Sequence, residues 1–176
     1  MNEWIVLLRG INVGGRNPLP MAELRGLLEE LGCEDVRTSI QSGNAVVRTG
    51  RTDPTALARE LREGIETEHG FVPQVLVLTR KELETAILGN PFPSDDGKAL
   101  HVYFLESPPE DPDLETLRSL ETDTEAFELG TTVFYLYAPD GIGRSKLAAR
   151  VERCLGVPAT ARNWNTVRKL AEIVGE

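Results

Sequence analysis

Residues that usually carry covalent or metal chemistry are scarce in this sequence. Its 176 residues include two cysteines, two histidines and 6% aromatic residues. Cys33 and Cys154 are far apart and form no CxxC pair, so we predict neither a disulfide framework nor a zinc site, although the sequence leaves open a single disulfide between them. We interpret each cysteine as a small buried residue near a helix end, as in proteins of reducing compartments.

His69 and His101 are isolated, and each lies beside apolar sequence. A side-chain nucleophile needs an adjacent base to become reactive, and no such pair is recognisable here. No calcium-binding loop is present, and the acidic residues are too numerous for a catalytic pair to be chosen among them. The sequence therefore predicts no metal site and no cofactor.

Long apolar runs are also absent. No segment approaches the roughly 18 apolar residues that a membrane-spanning helix needs, and Met1-Asn2-Glu3-Trp4 lacks the basic and apolar regions of a signal peptide. We therefore expect a soluble, cytoplasmic protein without a membrane partner. Nothing in the sequence determines the oligomeric state, and we expect a monomer.

Basic residues are fewer than acidic ones, and 19 lysines and arginines against 28 aspartates and glutamates give a net charge of −9. The charge is uneven, because residues 53–140 carry a net −13 and residues 141–170 a net +6. The overall balance argues against a protein that coats nucleic acid. The basic segment either attracts an anion or only complements the acidic middle of the same chain, which is the commoner role of such charge.

The hydrophobic pattern of the first half predicts the order β-α-β-β-α-β. Short apolar runs typical of strands occur at 4–8, 36–40, 44–48 and 75–78. Leucines spaced three and four residues apart predict a helix between Pro18 and Gly32. Asp53 followed by Pro54 predicts the start of a second helix, which ends near Gly70.

The second half repeats this order less completely. Runs typical of strands occur at 100–105, 127–129 and 133–137, with a short closing segment at 159–161. Helix starts are predicted at Thr79, Asp111-Pro112, Ser145 and Asn163. The first of these helices links the two halves, and the last follows the closing strand.

These orders together predict an α+β protein. We expect a tandem duplication of ferredoxin-like βαββαβ halves with antiparallel sheets, in which the second copy is less complete and carries an extra C-terminal helix. The first half is predicted at 1–79 and the second half, with the extra helix, at 80–176. No low-complexity linker separates them.

A loop rich in glycine, asparagine and arginine follows the first strand and is the first candidate for binding. It contains Arg9, Gly10, Asn12, Gly14, Gly15 and Arg16. Glycines let backbone N–H groups converge on an anion, and the two arginines flank them. The spacing matches neither the P-loop nor the dinucleotide-binding fingerprint. The alternative is a long loop that needs glycine only for its turns.

The turn between the second and third strands is the second candidate. It contains Gln41, Ser42 and Asn44. Because no base is recognisable near Ser42, we favour a hairpin turn in which these side chains bond the local backbone.

Two further candidates lie in the basic segment. They are Arg144, Ser145 and Lys146, and Arg162, Asn163 and Trp164. The first group opens a helix after a glycine-rich turn, which suits a phosphate or carboxylate, but Ser145 is equally well explained as a helix cap. The second group suits stacking on a base or ring, but Asn163 as a cap and Trp164 as a buried residue explain it better.

These segments together resemble the DUF1697 family, whose members are mainly bacterial proteins of unknown function. The matching segments, in order, are Leu7–Gly15, Met21–Leu24, Ile40–Asn44, Ser145–Leu147 and Arg162–Thr166. The resemblance runs from Trp4 to about Leu170. It implies a duplicated ferredoxin-like arrangement, which agrees with the pattern above, and it implies no activity, cofactor or catalytic residue.

We expect a binding protein in which the four polar segments meet at one site. Its ligand would be a small anionic molecule, a nucleotide or a short nucleic acid, the last being disfavoured by the net charge. One alternative is an enzyme acting on a phosphorylated or carboxylated metabolite, with Lys146 or Arg9 stabilising negative charge and Glu23 as the base. The other is a structural or interaction protein without a ligand.

Overall fold

The structure, a computed structural model, describes residues 1–39 and 43–176. These residues form two compact units. The first unit comprises Met1–Glu84 and Leu170–Glu176, and the second comprises Thr85–Lys169. The sequence predicts halves at 1–79 and 80–176, whereas residues 80–84 and 170–176 belong to the first unit. No helix in the described ranges is long and apolar enough to cross a membrane.

The first unit contains a four-stranded antiparallel sheet with two helices. Its strands are β1 (Asn2–Arg9), β2 (Cys33–Ser39), β3 (Asn44–Thr49) and β4 (Gln74–Thr79). Its helices are α1 (Met21–Glu30) and α2 (Pro54–His69), and α3 (Arg80–Leu88) begins in it. The strand order β2-β3-β1-β4 confirms the predicted βαββαβ arrangement. The predicted end of the second strand, Ile40, lies outside the described residues.

Alternation of side chains along β1 determines where the core of the first unit lies. Trp4, Val6 and Leu8 point to the face covered by α1 and α2, because successive side chains of a strand point to opposite faces. They are buried in one cluster with helix residues such as Leu24 and Leu61. Burying each leucine contributes roughly 1.5–3 kcal/mol, so this face supplies much of the unit's hydrophobic stabilisation.

The helix starts of the first unit follow the sequence signals. The Asp53 carboxylate accepts the N–H groups of Thr55 and Ala56 at 3.0 and 3.2 Å, which confirms it as the cap of α2. At the start of α3, Glu82 Oε2 accepts the Thr79 N–H at 2.7 Å, and Thr79 Oγ1 accepts the Glu82 N–H at 3.2 Å. This reciprocal pair is the predicted capping box.

The second unit contains a sheet with the same strand order. Its strands are β5 (Leu100–Leu105), β6 (Ala126–Leu129), β7 (Val133–Tyr137) and β8 (Ala159–Asn163), in the order β6-β7-β5-β8. Its helices are α4 (Leu114–Leu120), α5 (Val151–Leu155) and most of α6 (Trp164–Ile173). The closing strand is short, as predicted, yet it pairs with β5 from His101 to Leu105, so this sheet also has four strands.

The helix predicted to begin at Ser145 is shorter than its apolar pattern indicates. Two 3₁₀ turns, Ile142–Arg144 and Ala148–Arg150, precede the five residues of α5. The Ser145 Oγ accepts the Ala148 N–H at 3.0 Å and so bonds the second 3₁₀ turn. Such turns are frequent at helix starts, and sequence periodicity does not separate them from α-helix.

The end of α3 is tied to the sheet of the second unit by one buried hydroxyl. The Tyr135 hydroxyl donates to the Ala86 carbonyl oxygen at 2.6 Å. That carbonyl is in the last turn of α3, where main-chain acceptors lack helical partners. A Cβ at Gly89 would lie 2.9 Å from the same hydroxyl, so glycine leaves the space it needs. Burial, and to a lesser extent the charge of Glu128, raises the pKa of Tyr135 and keeps it a donor.

Replacing Tyr135 by Phe should lower the free energy of unfolding by about 1–3 kcal/mol, because the Ala86 carbonyl then stays buried without its donor. Denaturant unfolding followed by circular dichroism measures the loss. Tyr137→Phe is the matched control, because Tyr137 is on the same strand and its ring stacks on Phe92 at 6.1 Å. Equal losses in the two variants would contradict the assignment.

The loop after β1 lies beside the turn that precedes β3. The Leu8 N–H donates to the Gly43 carbonyl at 2.8 Å. A Cβ at Gly43 would lie 3.0 Å from side-chain atoms of both Leu8 and Ile11. Gly43 also has a φ of +75°, which L side chains adopt at a cost. Conformation and space therefore both require glycine here.

Gly43→Ala should destabilise the protein by about 2–4 kcal/mol, since a Cβ in left-handed backbone costs roughly 1–2 kcal/mol and overpacking adds about 1–3 kcal/mol. Gly15→Ala separates the two effects, because Gly15 has the same φ of +75° and open space around it. Thermal and denaturant unfolding should show a clearly smaller loss for Gly15→Ala. If the two losses are the same, the contact with Leu8 and Ile11 carries no weight.

Candidate functional site

The candidate loop after β1 folds into a tight hairpin. The Val13 N–H donates to the Arg16 carbonyl at 3.2 Å, and the Arg16 N–H donates back to Val13 at 2.9 Å. Gly14 and Gly15 between them have φ of +57° and +75°. Two consecutive positive φ angles are what a type I′ turn requires, so this geometry accounts for both glycines without a ligand.

The asparagine side chains hold this hairpin from inside. Asn12 Oδ1 accepts the Leu19 N–H at 2.7 Å, and Asn12 Nδ2 donates to the Leu19 carbonyl at 2.9 Å. Asn17 Nδ2 donates to the Gly10 carbonyl at 2.9 Å. Because these amides replace main-chain partners, Asn12 has a clear structural task. A role of Asn12, Gly10 or the turn glycines in binding stays a prediction.

The arginines of this loop differ from its other residues, since they point to solvent. Arg9 Nη1 donates to Gln74 Oε1 at 3.0 Å on the neighbouring strand, and Arg16 is exposed at the hairpin. Asn44, from the second candidate, is fully buried opposite Leu7. The other two residues of that candidate, Gln41 and Ser42, lie outside the described residues.

The candidates of the second unit are explained largely by helix capping and burial. Ser145 is buried and bonds its own turn, while Arg144 and Lys146 are exposed. Because α5 has only five residues, its start supplies little dipole for an anion.

The last candidate segment spans the junction of β8 and α6. Asn163 Oδ1 accepts the Thr166 N–H at 3.0 Å, which makes Asn163 the cap of α6, and Trp164 is buried. Arg162 Nη1 donates to the Ala161 carbonyl at 3.0 Å, and burial lowers the pKa of Arg162 to about 10. A guanidinium with that pKa is still charged at neutral pH. The role of these residues in binding stays a prediction.

The structure brings together candidates only within the first unit. The hairpin that follows Arg9 and the turn that ends at Gly43 meet at one end of β1. The two segments of the basic C-terminal region belong to the second unit. A single site formed by all four segments therefore stays a prediction.

A cleft of about 580 Å³ lies at the opposite end of β1, within the first unit. Its lining includes four basic side chains and three acidic ones, namely Arg37, Arg48, Arg80 and Lys81 against Glu3, Asp35 and Glu176. We call it the basic cleft. Its volume is in the range of small-molecule sites, which is about 300–1,000 Å³. Basic residues predominate here although the chain has a net charge of −9.

Cross-strand register places two of these side chains beside one another. Glu3 lies opposite Arg48 on β3, and Thr79 lies opposite Trp4 on β4. Glu3 is on the face of β1 away from α1 and α2, because the neighbouring Trp4 points toward those helices. The start of α3 follows Thr79 directly and brings Arg80 and Lys81 to the same cleft.

A β-bulge shapes the β2 side of the cleft. The pairing of β2 with β3 shifts between Glu34 and Arg37, and Asp35 within this shift has a φ of +48°. Positive φ in a residue other than glycine is uncommon, although aspartate tolerates it better than most. Bulges redirect side chains and are frequent next to functional sites. Here the bulge leaves Asp35 Oδ2 at 3.5 Å from Arg37 Nε.

Glu3 and Arg37 form the centre of the charge network. Arg37 Nη2 donates to Glu3 Oε1 at 2.6 Å, and Arg37 Nη1 donates to the Ile173 carbonyl at the end of α6. The Gly175 N–H donates to the same Glu3 oxygen at 3.3 Å. Arg37 thus complements the carbonyl end of α6, where a cation is favourable. These two side chains hold residues 173–175 against the first sheet.

Arg48 and Lys81 remain available after these pairings. Both are exposed and line the cleft, and neither side chain has a hydrogen bond or ion pair with any described residue. Arg80 is partly engaged, because its Nε donates to Glu84 Oε1 at 2.8 Å while its Nη1 lies 3.6 Å from Glu3 Oε2. The cleft therefore presents two unpaired cations beside a third that is shared.

Sequence reasoning missed this cleft because its residues are scattered. Strands β1, β2, β3 and the start of α3 contribute one or two side chains each, and none forms a motif. A register drawn between the first and third predicted strands would have placed Glu3 opposite Arg48. The bulge that brings in Asp35 and Arg37 has no sequence signal of its own.

The remaining groups with chemical potential do not form a second centre in the described ranges. Glu23, the base in the enzyme alternative, has its Oε2 at 2.9 Å from His69 Nε2 on α2. Burial lowers the pKa of His101, so this side chain is a poor carrier of positive charge. Cys33 and Cys154 are both buried and free. No group of three potential metal ligands lies together among the described residues.

Comparison with known proteins supports the fold and the family. A model of the family described as "Protein of unknown function (DUF1697)" matches residues 1–135. No curated protein matches the chain. Among solved structures, a conserved bacterial protein from Streptococcus pneumoniae matches with 26% identity and a TM-score of 0.72, covering 98% of each chain. The likeness therefore extends over both units. On this evidence the chain belongs to the DUF1697 family, whose function is unknown.

Proposed function

We propose that the basic cleft of the first unit binds a small molecule through an anionic group, either a phosphate or a carboxylate. The observation that carries the proposal is the pair of unpaired cations, Arg48 and Lys81, in the lining of a cleft of about 580 Å³. Side chains that repel one another gain most from a shared anion, and charge-assisted hydrogen bonds are the strong ones. The ligand class is the one expected from the sequence, but the site is different.

The composition of the cleft favours a small anion over a nucleotide or nucleic acid. Its only aromatic lining residue, Trp4, is 3% exposed, so no ring is available for a base to stack on. The net charge of −9 repels a long polyanion at a distance, while a single anionic group is attracted locally. Nucleic acid is therefore the less favoured partner.

The cleft does not contain the groups that the enzyme alternative named. Glu23 faces His69, and Arg9 bonds Gln74 at the far end of β1. We therefore propose a binding protein and assign no reaction. A cytoplasmic location stays a prediction, which fits the two free, buried cysteines.

Arg48→Ala and Lys81→Ala should each weaken binding of inorganic phosphate by about tenfold, because each removes one charge-assisted contact worth roughly 1.4 kcal/mol. Titration calorimetry measures the affinity, and the phosphate-induced rise in melting temperature reports it independently. Without phosphate, both variants should unfold within about 0.5 kcal/mol of the wild type, because exposed unpaired side chains contribute little to stability.

Two matched controls make this test specific. Lys98→Ala removes an exposed lysine outside the cleft, and Arg144→Ala removes an exposed arginine of the second unit that the sequence suggested for binding. Both should bind phosphate as the wild type does. The proposal fails if Arg48→Ala and Lys81→Ala behave like Lys98→Ala, and a loss confined to Arg144→Ala would favour the site predicted from the sequence.

A further inference from the structure

Glu3 occupies the basic cleft in the way that a bound anion would. Its carboxylate faces three donors, because Arg37 Nη2 and the Gly175 N–H lie 2.6 and 3.3 Å from Oε1 and Arg80 Nη1 lies 3.6 Å from Oε2. Two guanidinium groups and a main-chain N–H are a typical set of donors for an oxyanion. The side chain of Glu3 is 17% exposed, so solvent and solutes reach it.

The same carboxylate leaves the neighbouring cations unpaired. Glu3 is the cross-strand partner of Arg48, where the two Cβ atoms of such a pair lie about 5 Å apart. Even so, its carboxylate bonds Arg37 and not Arg48. An anion that bridges Arg48 and Lys81 would therefore lie near Glu3, and like charges at that range repel each other.

We propose that Glu3 is an internal competitor for the anion site, so that a ligand binds by displacing its carboxylate from Arg37 and Arg80; this inference rests on the function proposed above. A tethered side chain competes at an effective concentration in the millimolar range. Simple anions such as inorganic phosphate then bind the wild type weakly. The ligand that belongs to the site outcompetes Glu3 through its additional contacts with Arg48 and Lys81.

The competition also connects the cleft to the end of α6. Glu3 accepts the Gly175 N–H, and Arg37 holds the Ile173 carbonyl. An anion that draws Arg37 or Arg80 away from Glu3 removes part of what holds residues 173–175 to the first sheet. Ligand binding is thus expected to speed amide exchange at Gly175.

Glu3→Gln tests the inference with little change of shape. The amide oxygen still accepts from Arg37 and Gly175, but the negative charge that competes with the ligand is gone. Glu84→Gln is the matched control, because Glu84 also pairs with Arg80, at 2.8 Å, loses the same charge and does not line the cleft. Titration calorimetry with inorganic phosphate at constant ionic strength should show about tenfold tighter binding for Glu3→Gln than for either the wild type or Glu84→Gln.

Stability provides the readout that separates competition from a purely structural role. Glu3→Gln should melt below the wild type without phosphate and should regain stability at lower phosphate concentrations than the wild type needs. A structural role alone predicts the lower melting temperature with no gain in affinity.

The possible outcomes distinguish the two proposals. If the wild type binds phosphate and Glu3→Gln binds no more tightly than Glu84→Gln, the competition is overturned and the binding function stands. If only Glu3→Gln binds, the competition is supported and the proposed function fails for the wild type. If no variant binds, both proposals are overturned.

Discussion

Strand β1 is hydrogen-bonded on both sides, and the first unit depends on its register. Pairing with β3 and β4 fixes which residue stands opposite which, and a shift of one residue would exchange its two faces. In the observed register Trp4, Val6 and Leu8 fill the core beneath α1 and α2. The same alternation directs Glu3 and Arg9 to the other face, at opposite ends of the strand. The core, the hairpin after β1 and the basic cleft therefore follow from a single register.

Most of the fold could be predicted from the sequence, because the signals are local. The Asp53 cap, the Thr79–Glu82 capping box and the alternation in β1 each depend on residues within one element. The order βαββαβ in both units follows from these elements. The 3₁₀ turns before α5 could not be predicted, because they bury the same apolar positions as an α-helix would. The return of residues 170–176 to the first unit depends on contacts with Glu3 and Arg37, far away in the sequence.

The candidate site was harder to predict than the fold. Glycine and asparagine attracted attention after β1, where the structure uses them for a turn and for internal bonds to Leu19 and Gly10. Such residues are distinctive in a sequence whether they bind a ligand or only shape the backbone. By contrast, Arg48 and Lys81 are ordinary surface residues in the sequence. They gain significance only because strand pairing and the start of α3 bring them to one cleft.

The first unit is discontinuous in sequence, and this has a consequence for how the chain folds. Its last contact joins Glu3 to Gly175 across a separation of 172 residues. During synthesis, residues 1–84 leave the ribosome long before this partner exists, although they already contain all four strands of their sheet. Closing so long a loop is entropically costly until the intervening residues have folded. The pairing of Glu3 with Gly175 is therefore among the last events of folding, and the basic cleft is completed only after the second unit has formed.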